Sequence, residues 1–288
     1  MALVLNTVLP VFAIVFLGWW LSGHRRIDLA TISEVALMIA SPSLVFSLLA
    51  QTTLDLDRFG ALAGGTAAMV VGTALLALAY TRALGLGRGF LLPVVFFNGG
   101  NMGLACARLA FGEPGLEAGA VVFVTIATLT SCFGIWIAKG SGGFAEVLRA
   151  PLLWGSVAGI VVASTGLDLP RVLMEPIAML GDMAIPLMLL NLGFQLRTLE
   201  LSDVRHSAAS VALRMGGGAA CMALYVELLG VEGLDRQVLM LYSVMPGAVI
   251  NAVLAHRYGT DASVVASAVV LGTLVAVLSI PAMLLFVG

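Results

Sequence analysis

The sequence predicts an all-α membrane protein of ten transmembrane helices, built as two inverted five-helix repeats in which helices 4 and 9 are broken and cross. Three observations predict it. Of 288 residues, 60% are hydrophobic and 10% charged, against roughly 45–50% and 25% in ordinary soluble domains. Basic residues are shared unevenly between alternate loops, and two apolar runs are interrupted by glycine, asparagine and proline at matching places in the two halves. A water-soluble fold is excluded. The 33 glycines and 13 methionines suit helices that approach closely in lipid. A net charge of −2 offers no excess of either sign to attract nucleic acid.

A spanning helix needs about 20 mostly apolar residues, and ten runs qualify or nearly so: residues 3–21, 29–49, 59–80, 89–109, 118–138, 151–165, 172–196, 207–229, 237–257 and 262–287. The first lacks a basic leader and a small-residue cleavage site, so it reads as a retained span rather than a signal peptide. Loops after odd-numbered runs hold Arg25, Arg26, Arg82, Arg88, Lys139, Arg149, Arg197, Arg205 and Arg257; loops after even-numbered runs hold Arg58, Arg171 and Arg236. The positive-inside rule then puts the odd loops in the cytoplasm and both termini on the outer face. Cys106, Cys132 and Cys221 lie in apolar runs without metal or redox spacing and read as core thiols.

The stretch 139–149 divides the chain near its middle and is expected to be a cytoplasmic linker between repeats at 1–138 and 150–288. Pro10 and Gly18 recur as Pro151 and Gly159, Pro42 as Pro186, and Phe111-Gly112 as Tyr258-Gly259, at offsets of 141, 144 and 147 in the same order. An odd number of spans per half makes the second half lie upside down relative to the first. Inverted repeats of this kind place a transport site at their interface near the bilayer midplane.

Span four carries Asn98-Gly99-Gly100-Asn101 at its centre, and span nine carries Met245-Pro246-Gly247 followed by Asn251. Each glycine costs about 1 kcal/mol of helix relative to alanine. Proline lacks an N–H and clashes with the preceding turn. Unwound backbone in a membrane must be buried in protein or line a cavity, so Asn98, Gly99, Gly100, Asn101, Pro246, Gly247 and Asn251 are the candidate substrate-binding residues. The half-helices that start after each break present free N–H groups and a positive dipole end, which favours an anionic group such as a carboxylate. The plainer reading is that these residues only kink packed helices. Gly60 to Gly64 and Gly155 to Gly159 read as packing seams.

A charge at mid-helix costs about 2.5–3.5 kcal/mol on insertion scales, which singles out Arg214 and Asp182. Arg214 could neutralise a substrate carboxylate, pair with an acid or snorkel to the cytoplasmic face. Asp182, one turn before Pro186, could if buried carry a coupling proton or help bind a cation; the alternative is that it pairs with a nearby arginine or marks a helix end. Asn191 and Gln195 share a face in span seven, and Thr125, Thr128, Thr130 and Ser131 line span five. His24, His206 and His256 read as interfacial.

The runs 98–115 (NGGNMGLACARLAFGEPG), 185–196 (IPLMLLNLGFQL) and 245–274 (MPGAVINAVLAHRYGTDASVVASAVVLGTL) resemble the auxin efflux carrier family, which includes PIN-type carriers and bacterial permeases for malate and malonate. The resemblance spans nearly the whole chain. It implies a fold similar to bile-acid sodium symporters and NhaA-like antiporters, with substrate carboxylate bound where helices 4 and 9 cross. Asn98 matches the family's crossing asparagine, Pro246 the proline that opens the second crossing, and Arg214 an arginine early in helix eight. Ala105 stands where many relatives have proline, and Asn251 where the plant carriers have a second proline, so glycines rather than a fixed proline bend are expected to give the first crossing its freedom. The long central loop of plant members is absent.

The expected function is therefore secondary active transport of a small organic anion, a mono- or dicarboxylate, by alternating access; spans one, two, six and seven would form a scaffold. An uncoupled uniporter or channel and a sodium-coupled symporter are the alternatives. No cofactor or metal is expected. H+ is the coupling ion expected if there is one, since no acidic residue lies between Gln237 and Tyr258 to anchor Na+. An enzyme is not expected, because HExxH, GxSxG and paired intramembrane aspartates are all missing. Expected partners are the anion, the lipid of a bacterial cytoplasmic membrane and, as an option, a second copy of the chain in a homodimer.

Overall fold

The computed structural model describes residues 2–25, 27–52, 55–141 and 148–287. Most of the expected linker 139–149 and one basic residue of the orientation pattern, Arg26, lie outside the described residues. The rest is helical, with one isolated backbone bridge and no strand among the described residues. Among the described residues, seven helices are long and apolar enough to cross a membrane.

The helices are α1 (Ala2–His24), α2 (Leu29–Gln51), α3 (Leu56–Leu84), α4 (Leu91–Val95, after a 3-10 turn at Arg88–Phe90), α5 (residues 99–111) and α6 (residues 113–139). They continue with α7 (Pro151–Thr165), α8 (Arg171–Thr198), α9 (Val204–Leu229), α10 (Gly233–Ser243), α11 (Ile250–Tyr258) and α12 (Ala262–Val287). Some starts are set by side-chain caps rather than by hydropathy. The Asp55 carboxylate accepts the N–H groups of Asp57 and Arg58 at 3.0 and 3.1 Å, which draws α3 forward of its apolar run. Asp203 does the same for His206 at the head of α9. Bonding to His206 holds that carboxyl below the usual carboxylate range.

Helices α5 and α6 form a hairpin folded at Gly112, whose φ of +69° and ψ of −158° break the helix. A Cβ on Gly119 would meet the Ala107 methyl at 3.2 Å, and one on Gly99 would meet Ile126 at 2.8 Å. Residues on the two legs thus pair about a single centre, as antiparallel neighbours must. Gly259 ends α11 with φ +66° and ψ +38°, so the Gly112 and Gly259 pair of the sequence repeat shares a positive φ but not a conformation. Pro42 and Pro186 each follow an irregular turn, the π-helical turn Ala36–Ala40 and the break at Met183, where a missing N–H removes a helical bond.

Two groups of helices result. In the first, α1 lies on α8 where Gly18 faces Gly193, α2 lies on α7 where Gly155 and Gly159 sit against the Pro42 and Phe46 carbonyls, and Gly181 of α8 meets the Leu44 backbone. The Gly155–Gly159 seam is a helix contact; Gly60 faces open space, and Gly64 seats the Tyr225 ring instead. The second group, α3 to α6 and α9 to α12, encloses the two interrupted helices. Tyr242 of α10 fills the space left by Gly103 and Gly119 and donates its hydroxyl to the Gly119 carbonyl at 3.3 Å.

A side chain at Gly193 would run into the Val15 carbonyl and the α1 backbone, so Gly193→Val is expected to lower the unfolding temperature in detergent sharply. Gly60→Ala, with nothing within 4 Å, should be neutral or raise stability by up to about 1 kcal/mol through helix propensity. Thermal unfolding of the two variants beside the parent checks both.

Candidate functional site: the crossing of two broken helices

The apolar runs stop being helical at Phe96–Asn98 and at Val244–Val249, and there the two extended segments meet. Phe97 and Gly247 face each other as an antiparallel pair. On either side the Asn98 N–H donates to the Pro246 carbonyl at 2.7 Å and the Ala248 N–H to the Phe96 carbonyl at 2.9 Å. Each segment thereby satisfies amides and carbonyls the other has freed, in a place where water cannot do so. Gly247 is required by proximity: a Cβ there would lie 2.8 Å from the Pro93 carbonyl oxygen.

Asn98 is 3% exposed and caps α5, its Oδ1 accepting the Asn101 N–H at 3.1 Å. Asn251 is fully buried, and its Nδ2 donates to the Phe96 carbonyl at 2.7 Å. Those bonds fix both amides. They leave the Asn98 Nδ2 donor and the Asn251 Oδ1 acceptor buried without a partner. Gly99 and Gly100 open a π-helical turn, Gly99–Leu104, and are buried against Ile126, Phe123 and Met188; Met188 belongs to α8, so the start of α5 faces the other helix group. Asn101 is half-buried.

Arg214 is 1% exposed. It sits in a π-helical turn, Leu213–Gly217, inside α9. Its Nη1 donates to the Val94 carbonyl at 3.2 Å and the Val95 carbonyl at 3.4 Å; its Nη2 donates to the Ser243 carbonyl at 3.3 Å and lies 3.0 Å from Met69 Sδ. The guanidinium also lies over the Phe97 ring, 5.2 Å from its centroid. Two of the three expected roles, pairing with an acid and snorkelling, do not describe this arrangement. No carboxylate pairs with Arg214 among the described residues, burial excludes snorkelling, and its contacts are backbone carbonyls. Asp182 is exposed at the break in α8 and apart from the crossing, where it marks a helix end, the second of its two expected readings. Asn191 pairs with Ser33 of α2 within the first helix group.

Sequence reasoning passed over Ser210, one turn before Arg214 on the same face. Its hydroxyl is buried and unpartnered, as is Arg214 Nε. Both line a crevice with Pro93, Pro246, Gly247 and Gly272 that is too narrow to admit water. The i, i+4 spacing from a buried arginine was the available signal. Among the described residues, four buried side-chain atoms lack a hydrogen-bond partner: Asn98 Nδ2, Asn251 Oδ1, Ser210 Oγ and Arg214 Nε. All four belong to the crossing or to the crevice behind it. Orphaned polar atoms are uncommon and each needs a reason.

Gly247→Ala is expected to push Pro93 away and part the Phe97 pair, giving a lower unfolding temperature and faster amide exchange at Asn98 and Ala248; an unchanged exchange pattern would contradict this geometry.

Residues 144–284 match a family model described as "Membrane transport protein". The chain is 28% identical to an uncharacterized transporter of Methanothermobacter thermautotrophicus over 96% of each protein. It is 27% identical to an uncharacterized transporter of Methanocaldococcus jannaschii over 64% of this chain and 63% of that one. It is also 23% identical to a probable auxin efflux carrier component 1b of Oryza sativa subsp. japonica, over 46% of this chain and 25% of that protein.

Proposed function

As a permease of the auxin efflux carrier family, the chain is a membrane transport protein, and we propose that its cargo is a small organic anion bound at the crossing of the two broken helices. The observation that carries this reading is the clustering of all four orphaned polar atoms around that crossing. Asn98 Nδ2 supplies a donor for a carboxylate oxygen, reinforced by the positive ends of α5 and α11. Asn251 Oδ1 is an acceptor and asks for a donor on the same molecule, so the preferred acid bears a hydroxyl or N–H group beside its carboxylate. Auxin carriers among the relatives are in keeping with an organic acid.

In this reading the chain spans the membrane ten times, with α4 and α5 forming one interrupted span, α10 and α11 another, and α5 and α6 lying in successive spans. Residues up to 138 form one five-helix repeat and those from 150 its inverted counterpart. The first helix group serves as scaffold, singly or within a homodimer, and the second carries the crossing past it in alternating access. The odd loops face the cytoplasm of a bacterial cell and both termini face outward. Trp19, Trp20, Trp136 and Trp154, all exposed, lie at the odd-loop ends of α1, α6 and α7, where an interfacial aromatic belt belongs. Proton coupling remains the proposal where a gradient drives uptake. Asp182 contributes no contact to this scheme.

Purified protein in sealed vesicles should take up a labelled hydroxylated dicarboxylate faster than an unsubstituted one of equal length. Asn251→Leu removes a half-satisfied amide while the Phe96 carbonyl keeps the Ala248 N–H, so its unfolding temperature should stay at or above that of the parent and its uptake should vanish. Asn98→Ser keeps a capping oxygen for α5 but withdraws the amide donor, with the same loss of uptake expected. Parental uptake by both variants would refute the assignment.

A further inference from the structure

We propose that Arg214 is an internal counter-cation: between the C-terminal ends of α4 and α10 it holds the position where carriers with broken helices coordinate a coupling cation, so the crossing assembles without bound sodium. The inference rests on the crossing being the transport site and assigns its ion requirement. Half-helix C-terminal ends and unwound carbonyls are the places where such carriers hold Na+, because the last carbonyls of a helix have no helical partner and carry its negative dipole end.

Three of those groups are taken up here by one side chain. The carbonyl of Val94 would bond the N–H of Asn98 in a continuous helix, and that of Val95 the N–H of Gly99. The Asn98 N–H instead donates to Pro246 and the Gly99 N–H to the Phe97 carbonyl. The two carbonyls receive Arg214 Nη1 in their place, and the last carbonyl of α10, Ser243, receives Nη2. A single guanidinium thus caps two helix ends that converge from opposite halves of the chain. Its contact with the Phe97 ring adds a third, electron-rich surface. No other charged side chain competes for the spot: among the described residues Arg214 has no acidic partner, and every ion pair found lies elsewhere. The π-helical turn at Leu213–Gly217 inserts an extra residue into α9 and turns the side chain to this place. Arg214 is therefore a positioning residue. It acts through the backbone that presents Asn98 and Asn251, and its planar fork of donors suits three separated carbonyls better than a point-like ammonium.

The test uses the full chain in two assays. In detergent, thermal unfolding of the parent should be the same in choline, sodium and guanidinium chloride at equal, non-denaturing ionic strength. Arg214→Gln should unfold at lower temperature in choline and be stabilised selectively by guanidinium, with sodium giving a smaller gain; Arg214→Lys should fall between parent and Arg214→Gln. In vesicles, parental uptake should be within about twofold in sodium or choline, whereas Arg214→Gln should lose about tenfold or more, as expected when buried carbonyls lose charged donors, and recover in part with guanidinium. Equal destabilisation of the Lys and Gln variants with no cation effect on either would overturn the proposal, as would parental uptake that collapses without sodium. If Arg214→Gln cannot be purified, the cation dependence of Arg214→Lys decides. Unfolding needs no substrate, so a parent that moves no organic anion would sink the transport reading and leave this one to be judged by the unfolding assay.

Discussion

The constraint on which the rest depends is that backbone taken out of a helix within the membrane must find hydrogen-bond partners inside the protein. Two helices are broken here, and each break frees amides and carbonyls that lipid cannot satisfy. The chain meets the need by bringing the breaks together. The Phe97 and Gly247 pair exchanges bonds across the crossing, Asn251 and Asn98 add side-chain bonds to Phe96 and Asn101, and Arg214 takes three further carbonyls, of Val94, Val95 and Ser243. The glycines at the seams follow from the same constraint. Helices must approach closely enough to bury the crossing on all sides, and Gly99, Gly100, Gly103 and Gly119 let Phe123, Ile126 and Tyr242 close over it.

A site made this way is polar yet incompletely satisfied. The bonds that hold Asn98 and Asn251 in place use one end of each amide and leave the other end free. In the proposed reading, anchoring and recognition are thus separated within single side chains, the anchored end fixing the direction of the free one. Arg214 contributes its charge without offering its main donors, which keeps a positive field behind the crossing while the backbone carbonyls hold the guanidinium still.

Much of this was legible in the sequence. The apolar runs gave the helices, and Asn-Gly-Gly-Asn and Met-Pro-Gly marked the breaks because few residues of those kinds interrupt a lipid-facing helix by chance. The repeated Phe-Gly and Tyr-Gly fall at two helix ends whose glycines, Gly112 and Gly259, both have positive φ. Helix starts were less legible: Asp55 and Asp203 begin α3 and α9 by capping, a local bond that a hydropathy count overlooks. Arg214 was conspicuous, but its partners were not, because they are carbonyl groups, identical at every residue, whose availability depends on where helices end in space. Asp182 stands where the second of its two readings put it, at a helix end, since the helix stops at Met183.

The central claim is that the free ends of Asn98 and Asn251 at the crossing receive the cargo. Equilibrium binding of a radiolabelled hydroxylated dicarboxylate to purified protein, comparing the parent with the double variant Asn98→Ser/Asn251→Leu, tests it most directly. The account predicts saturable binding to the parent and none to a double variant that still unfolds cooperatively near the parental temperature. Undiminished binding by the folded double variant would contradict it.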